Sequence, residues 1–224
     1  MRFNIKMKVI LFFSIFTAGI HNAFSGAIDE LSNSDKNKVK NGEQVAVYTN
    51  VGKVWPKSNI YKRLESTPEE AAAIFSDYEL QSFYFPSLIK SKISKVIDKF
   101  TNEVDFSLRL PFDLGIENYT VKNKLSNYDN GDSYMVSWSL VRADTTKSTE
   151  GSARFEKLGT GTLLSFTNLI EPGRWGSGVS WVVEHAKKAA KDGVTNLVTQ
   201  IEKEKTSQSE LLQKQVELLR KTLQ

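Results

Sequence analysis

The longest regular pattern in the sequence is an amphipathic helical stretch near the C-terminus, from about residue 176 to residue 203. Its apolar residues recur at helical spacing: Val179, Val182, Val183, Ala186, Ala189, Ala190, Val194, Leu197, Val198 and Ile201. The opposite face carries mostly lysine, aspartate and glutamate. A helix of roughly seven turns cannot bury such a stripe alone, whereas a twisted antiparallel sheet offers a surface that covers it. The sequence therefore predicts one long helix packed on a sheet.

The middle of this stripe consists of small residues, namely Ala186, Ala189, Ala190 and Gly193. Small side chains either let the helix backbone approach the sheet closely or leave space between the helix and the sheet. Both arrangements are compatible with the sequence. The first predicts a filled core, and the second predicts an internal cavity.

The first 25 residues have the features of a cleaved secretory signal. Three basic residues precede the apolar run Val9–Ala18, and Ala23 and Ser25 supply small side chains before a cut at Gly26. The apolar run is too short to span a bilayer comfortably, which disfavours the alternative of an uncleaved anchor. The chain contains no cysteine, which fits a bacterial periplasm better than a small disulfide-stabilised domain. We therefore expect a periplasmic or secreted protein.

Removal of residues 1–25 also removes most of the net positive charge. The segment holds 3 of the 30 Lys+Arg residues and none of the 26 Asp+Glu residues, so 27 basic and 26 acidic residues remain. No basic surface is left to indicate a nucleic-acid partner. His185 is then the one remaining histidine, so neither a nucleophilic triad nor a His/Cys metal site is indicated, and we expect no cofactor. His185 itself is expected to face solvent or to cap the helix.

We expect one folded domain over residues 44–205, after a polar linker at 26–43 and before a tail at 206–224. The segment Thr67–Glu70 predicts a helix start, with threonine as the N-cap, proline at the first helical position and glutamate closing a capping box. From residue 88 onwards, apolar and polar residues alternate with period two, and short turns separate the runs, with a hairpin turn predicted at residues 129–132. Consecutive strands with short links predict an antiparallel meander.

Three parts of the sequence show a more specific pattern: Tyr61–Ala71, which leads from a strand into the capped helix; Ile74–Tyr78 followed by Phe85-Pro86; and the hairpin Gly151–Phe155 with Gly161–Phe166. Together with the order of elements, they resemble the START-like, or SRPBCC, helix-grip superfamily over roughly residues 44–203. That superfamily includes lipid-transfer domains, polyketide cyclases and aromatases, and the plant pollen-allergen fold. The resemblance implies an α+β fold, with a curved antiparallel sheet wrapped around the long C-terminal helix. It also implies a cavity for a lipid, sterol, polyketide or other apolar molecule.

The candidate site residues lie on the predicted concave face of the sheet and on the facing helix. The sheet supplies Phe106, Tyr119, Tyr134, Trp138, Phe155, Phe166 and Asn168, and the helix supplies Ala186, Ala189, Ala190 and Gly193. Glu117 and Arg109 are further candidate polar anchors, and a position at the rim is favoured for Glu117. The same aromatic residues can equally form a core that interdigitates with the small helix residues.

Three functions are compatible with this pattern. The first is non-covalent binding or transport of a hydrophobic, lipid-like molecule, admitted through loops near residues 111–115 and 173–178. The second is a cyclase- or aromatase-type enzyme, in which a pocket tyrosine or Glu117 with a shifted pKa transfers protons. The third is a protein–protein adaptor with a filled core.

Two further segments bear on partners. The tail predicts a short amphipathic helix with Leu212, Val216, Leu219 and Leu223 on one face, which either packs on its own domain or supports a homodimer. Trp175 and Trp181, near the start of the long helix, are candidates for packing, for gating the cavity or for weak contact with a membrane surface.

Overall fold

An antiparallel sheet of eight strands forms the centre of the computed structural model, which describes residues 26–85, 87–110, 114–128, 131–173 and 180–224. The strands are β1 (Val45–Thr49), β2 (Lys57–Leu64), β3 (Leu88–Asp98), β4 (Thr101–Arg109), β5 (Ile116–Tyr128), β6 (Ser133–Ala143), β7 (Ser148–Leu158) and β8 (Gly161–Glu171). Their order across the sheet is β1-β2-β8-β7-β6-β5-β4-β3, and neighbouring strands are antiparallel throughout. The predicted meander is therefore confirmed, and its last strand pairs with β2.

Helices flank this sheet: the first lies on its convex face, and the others cover its concave face. The described residues contain α1 (Asn33–Lys40), α2 (Pro68–Ser76), α3 (Gln81–Tyr84), α4 (Ser180–Ser207) and α5 (Glu210–Leu223). The predicted capping box at the start of α2 is confirmed, because the Thr67 hydroxyl accepts from the Glu70 amide at 3.2 Å and the Glu70 carboxylate accepts from the Thr67 amide at 2.8 Å. With α4 lying across the curved sheet, the architecture is the α+β helix-grip arrangement that the sequence predicts.

The hydrophobic core lies between the sheet, α2 and the C-terminal half of α4. Period-two alternation directs one set of strand side chains inward, where they are buried: Ile60, Val104, Val121, Val136, Phe155 and Leu164. Helix α2 contributes Ala71, Ile74 and Phe75 from above, and α4 contributes Leu197 and Ile201. Alanines in α2 let that helix pack close to β6 and β7.

Residues 26–43 do not form the predicted linker. They fold as a 3-10 turn at Ala27–Glu30 and as helix α1, which Ser32 caps by accepting from the Asp35 amide at 3.2 Å. Ala27, Leu31 and Val39 are the buried apolar residues of this segment, and they form a second core cluster with Val45, Tyr61 and Leu163. The sequence does not predict this packing, because the segment has few apolar residues and they are widely spaced. The residues that they contact lie on distant strands.

The tail forms helix α5 and packs on its own domain. Leu212 and Leu219 are buried in the main core, mostly against α2, and Ser209 caps the helix. The Arg220 guanidinium pairs with both carboxylate oxygens of Glu69 at 2.7 Å. The face proposed for a partner is therefore used within the chain.

Several predictions fall outside the described residues. These are the secretory signal over residues 1–25, Pro86, the start of the loop at 111–115, the first half of the turn at 129–132, Val179, and most of the loop at 173–178 with Trp175. Within the described part of the chain, no helix combines the length and the apolar character needed to cross a bilayer.

Candidate functional site

Helix α4 packs closely against the sheet along its second half and less closely along its first. In the second half, the inward-facing residues Gly193, Val194, Leu197, Val198 and Ile201 are buried. Among residues 180–190, Val182 alone is buried, and the inward-facing Val183, Ala186 and Ala190 are half-buried. Because alanine is short, the helix leaves part of the concave face uncovered at this end. The interior therefore has a filled end and an open end.

A narrow cleft lies at the open end, between α4 and strands β2 and β8. It has a volume of about 30 Å³ and is lined by Trp55, Pro56, Ser58, Asn168, Ile170, Val183, Ala186, Lys187 and Ala190. A volume of this size has room for a few water molecules at most, so a larger ligand requires α4 to move away from the sheet. Asn168 supplies a polar group inside the cleft: its Oδ1 is buried and has no hydrogen-bond partner among the described residues.

Polar contacts hold the first half of α4 to strand β1. The Tyr48 hydroxyl donates to the Lys187 carbonyl at 3.4 Å, and the Lys187 ammonium lies 5.1 Å from the centroid of the Tyr48 ring. The Gln44 side chain donates to the Lys191 carbonyl at 3.2 Å. Each polar contact at an exposed position contributes little to the stability of the protein. The first half of α4 is therefore held less firmly than the second half, which buries a continuous apolar face.

A row of aromatic rings runs from the filled end to the open end. Measured between ring centroids, Phe155 lies 5.7 Å from Phe75, Phe75 lies 6.3 Å from Trp138, and Trp138 lies 5.2 Å from Phe166. Phe155 and Phe75 are buried, whereas Trp138 and Phe166 are half-buried. Trp138 therefore marks the boundary between the filled core and the open end.

The structure divides the predicted site residues between these two ends. Asn168, Ala186 and Ala190 line the cleft at the open end, and Trp138 and Phe166 are half-buried in the aromatic row that leads to it. Tyr119 is half-buried against Phe106, with ring centroids 5.3 Å apart, and does not line the cleft. Phe106, Tyr134 and Phe155 are buried in the filled core.

Two of the predicted helix residues do not face the open end. Gly193 lies in the filled core, because a Cβ atom there would be 3.0 Å from Cε1 of Phe85, whose ring takes the available space. Ala189 is exposed on the opposite side of α4. The close approach and the open space therefore both occur, at different points along the same helix.

Gly151 shapes the open end and is not among the site residues that the sequence predicts. Gly151 lies on β7. It pairs with Trp138 of β6 on one side and with Asn168 of β8 on the other. A Cβ atom at this position would be 2.3 Å from the Thr167 carbonyl oxygen and 2.4 Å from Cζ2 of Trp138. The glycine therefore gives the indole room to lie across β7. A glycine inside a strand pattern, opposite a tryptophan, was the available signal.

Replacing Gly151 with alanine is expected to destabilise the fold by about 1–3 kcal/mol, because the new methyl group overlaps both a backbone oxygen and the Trp138 indole. Urea denaturation measures the change. Ser152→Ala, on the other face of the same strand, is the matched control and is expected to stay within about 0.5 kcal/mol of the parent. An unchanged unfolding free energy in Gly151→Ala would show that the indole does not need this space.

Glu117 anchors a loop and does not face the cleft. Glu117 is 3% exposed, and its carboxylate accepts from the Thr145 amide at 3.0 Å, the Thr145 hydroxyl at 2.8 Å and the Thr146 amide at 2.7 Å. Burial alone would raise the pKa of Glu117, but the hydrogen bonds from Thr146 and Thr145 outweigh it and hold the pKa below its ordinary value. Glu117 therefore stays ionised and fixes the connection between β6 and β7.

Glu117→Gln is expected to destabilise the protein by about 1–3 kcal/mol near neutral pH, because an amide cannot accept all three hydrogen bonds. A carboxylate with a lowered folded-state pKa stabilises above its unfolded pKa, and this contribution disappears as the pH falls through the folded value. The difference between the parent and the variant should therefore shrink below about pH 4.5, the ordinary pKa of a glutamate. Denaturation curves across this range test it, and a difference that does not change with pH would contradict it.

The other titratable residues that the sequence predicts for the site do not favour proton transfer. Burial raises the pKa of Tyr119 well above its ordinary value, and the nearby Glu117 charge adds to the effect. Tyr119 is therefore protonated and Glu117 ionised near neutral pH, whereas a general acid–base pair works best with pKa values near the operating pH. His185 and Arg109 are exposed. In the described residues, no group of three or more His, Cys, Asp and Glu side chains could hold a metal ion.

A second, larger pocket of about 300 Å³ lies on the convex face, over strands β4 to β6. Its polar side chains already bind one another: the Thr120 hydroxyl donates to Asp105 at 2.6 Å, Arg142 donates to Asp105 at 3.3 Å, and Asn118 donates to Asp144 at 3.0 Å. A site whose donors and acceptors are paired offers little to an additional ligand. We therefore place the candidate site at the cleft on the concave side.

Comparison with known proteins tests the fold independently. Neither a protein-family model nor a curated protein matches the sequence. Among solved structures, a STAR-related lipid transfer protein from Xanthomonas axonopodis superposes with a TM-score of 0.62 at 14% identity, over 70% of this chain and 93% of that one. Human StAR-related lipid transfer protein 5 gives a TM-score of 0.60 at 14% identity, over 73% of this chain and 83% of that one. This chain has the START-like helix-grip fold.

The START-like fold also occurs in enzymes. The Zhui aromatase/cyclase from Streptomyces sp. R1128 superposes with a TM-score of 0.55 at 12% identity, over 66% of this chain and 94% of that one. Lipid-transfer proteins and aromatase/cyclases therefore share the arrangement of sheet and long helix seen here. The predicted resemblance is confirmed for the fold, and function has to be argued from the site itself.

Proposed function

We propose that this protein binds a hydrophobic, lipid-like small molecule non-covalently, between the first half of α4 and the concave face of the sheet. The observation that carries the proposal is the uneven packing of α4: Ala186 and Ala190 are half-buried and line the cleft with Asn168 and Ile170, while the inward-facing residues of the second half of the same helix are buried. Apolar surface that the protein leaves partly uncovered inside a concave face is surface that a ligand can cover.

The mechanism follows from the two kinds of group at the open end. The faces of Trp138 and Phe166 supply apolar contact, worth about 25 cal/mol for each Å² of apolar surface removed from water. The unpaired Oδ1 of Asn168 supplies one hydrogen-bond acceptor, which would orient a ligand carrying a hydroxyl or N–H group. The ligand enters when the first half of α4 moves away from the sheet, since the cleft is only about 30 Å³ in the structure.

We also propose that the protein works outside the cytoplasm and delivers its ligand near a membrane surface. The basic and apolar segment before Gly26 supports export, and a cut before Gly26 would leave the buried Ala27 in the mature chain. Val51 and Val54, in the connection between β1 and β2, and Trp181, in the first turn of α4, are exposed apolar residues on elements that border the cleft. Such residues suit a weak, transient contact with lipid headgroups.

Native mass spectrometry of the exported protein, followed by organic extraction, tests the binding function. We expect a species heavier than the chain by one small molecule and an apolar compound in the extract. Delipidated protein should then take up a fluorescent fatty-acid analogue. An apo mass together with no uptake of the analogue would contradict the proposal, and a dimer mass in the same spectra would instead favour the adaptor function.

A further inference from the structure

The first residues of the N-terminal segment (residues 26–43) are attached to the convex face by the buried Ala27 and by a charge cluster. Ala27 is fully buried against Tyr61 and Leu163. Its backbone amide donates to the Glu156 carboxylate at 2.9 Å. Ala27 is therefore part of the packed domain, directly after residue 26.

The side chains around this amide carry an excess of negative charge. Arg154 pairs with Glu156 at 2.7 Å and approaches Glu30 to 3.9 Å, and the Tyr61 hydroxyl donates to Glu30 at 3.0 Å. Two carboxylates and one guanidinium sum to a formal charge of −1. The adjacent Asp29 does not change this balance, because it pairs with Lys36 at 3.0 Å. One more positive charge beside Glu156 would make the cluster neutral.

The predicted cut before Gly26 would place a new positive charge at this point. A free α-amino group has an ordinary pKa of about 7.7–8.0 and is largely protonated at neutral pH. On Gly26 it would lie one residue from the amide that already contacts Glu156, and consecutive Cα atoms are about 3.8 Å apart. The ammonium would therefore lie within reach of the Glu156 carboxylate.

We propose that removal of the N-terminal signal completes this cluster, with the α-ammonium of Gly26 pairing with Glu156, and that the N-terminal segment docks on the sheet only after cleavage. A protease that cuts between residues 25 and 26 needs the chain around that bond, and Ala27 is inaccessible while the segment is docked. Cleavage thus precedes docking, and the amine it releases stabilises the docked state. This inference rests on the proposed export and is independent of ligand binding.

The test is a double-mutant cycle on the melting temperature. One chain begins at Gly26 and the other at Asn22, which moves the amine away through four uncharged residues. Each is made with Glu156 and with Glu156→Gln. In the parent background, we expect the Gly26 chain to melt about 1–4 °C higher than the Asn22 chain, and we expect this difference to vanish in Glu156→Gln.

Glu150→Gln is the matched control, because Glu150 is an exposed glutamate on the same face of β7. The difference between the two chain starts should persist in that variant. Equal melting temperatures for the two chains, or the same difference with and without Glu156, would overturn the pairing. An exported protein whose intact mass shows a start other than Gly26 would overturn the role of cleavage, whatever the outcome of the ligand-binding assays.

Discussion

Ala186→Trp is expected to weaken the binding of apolar ligands by at least about tenfold. The indole would project from the first half of α4 into the cleft beside Asn168 and occupy the space that a ligand needs. Overpacking typically costs about 1–3 kcal/mol, and about 1.4 kcal/mol corresponds to a tenfold change in affinity. Titration of the delipidated protein with a fluorescent fatty-acid analogue measures the loss.

Ala189→Trp is the matched control for this experiment. It makes the same substitution on the same helix, but Ala189 is exposed, so the indole would point into solvent. We expect parental affinity from this variant. Circular dichroism and melting temperature verify that both variants fold. Unchanged binding in Ala186→Trp, or an equal loss in both variants, would show that the ligand does not lie under the first half of α4.

Leu219→Ala is expected to destabilise the protein by about 2–5 kcal/mol, as for other large-to-small changes in a core. Leu219 is 3% exposed and joins the main hydrophobic cluster, so its removal leaves a cavity between α5 and α2. Urea denaturation of the full chain measures the effect. A loss of this size would establish that the tail is part of the domain.

Leu218→Ala is the control for the tail, because the neighbouring Leu218 is 63% exposed. We expect its unfolding free energy to stay within about 0.5 kcal/mol of the parent. If both leucines prove equally tolerant of alanine, α5 is not packed on α2 in solution. The tail would then be available for a partner or a second copy of the chain.

Much of the fold follows from local patterns in the sequence. Thr67–Glu70 contains a complete capping box, so α2 begins where the sequence predicts it. Alternation with period two fixes which strand residues face inward, and Phe155 and Leu164 are buried accordingly. The stripe of α4 is long enough to identify the helix. These features are short-range, and short-range patterns are visible in a single sequence.

The sequence does not predict which residues at the edges of the apolar stripe of α4 are buried. Ala189 and Ala190 are adjacent small residues at one edge of the stripe, yet Ala189 is exposed and Ala190 lines the cleft. Phe85, more than a hundred positions earlier, occupies the space beside Gly193. Which residues at the edge of an amphipathic face are covered depends on such distant neighbours, and helical periodicity carries no information about them.

The packing of the N-terminal segment and of the candidate site also depends on residues that are distant in the sequence. Ala27, Leu31 and Val39 look like isolated apolar residues in a polar stretch, and their burial depends on Tyr61 and Leu163. In the same way, the indole of Trp138 reaches across β7 only because Gly151 is opposite it in the sheet register. Both are pairings between distant parts of the chain, so they appear only in the folded structure.

The position of the ligand between Trp138 and the first half of α4 is the central claim, and photo-crosslinking tests it most directly. A diazirine-bearing fatty-acid analogue is photolysed in complex with the delipidated protein, and the labelled peptides are mapped by mass spectrometry. We expect labelling on the peptides that contain Trp138, Phe166 and Ala186. Labelling confined to the exposed Leu211 and Leu218 of α5, or no labelling above that of protein denatured before photolysis, would contradict a ligand site under α4.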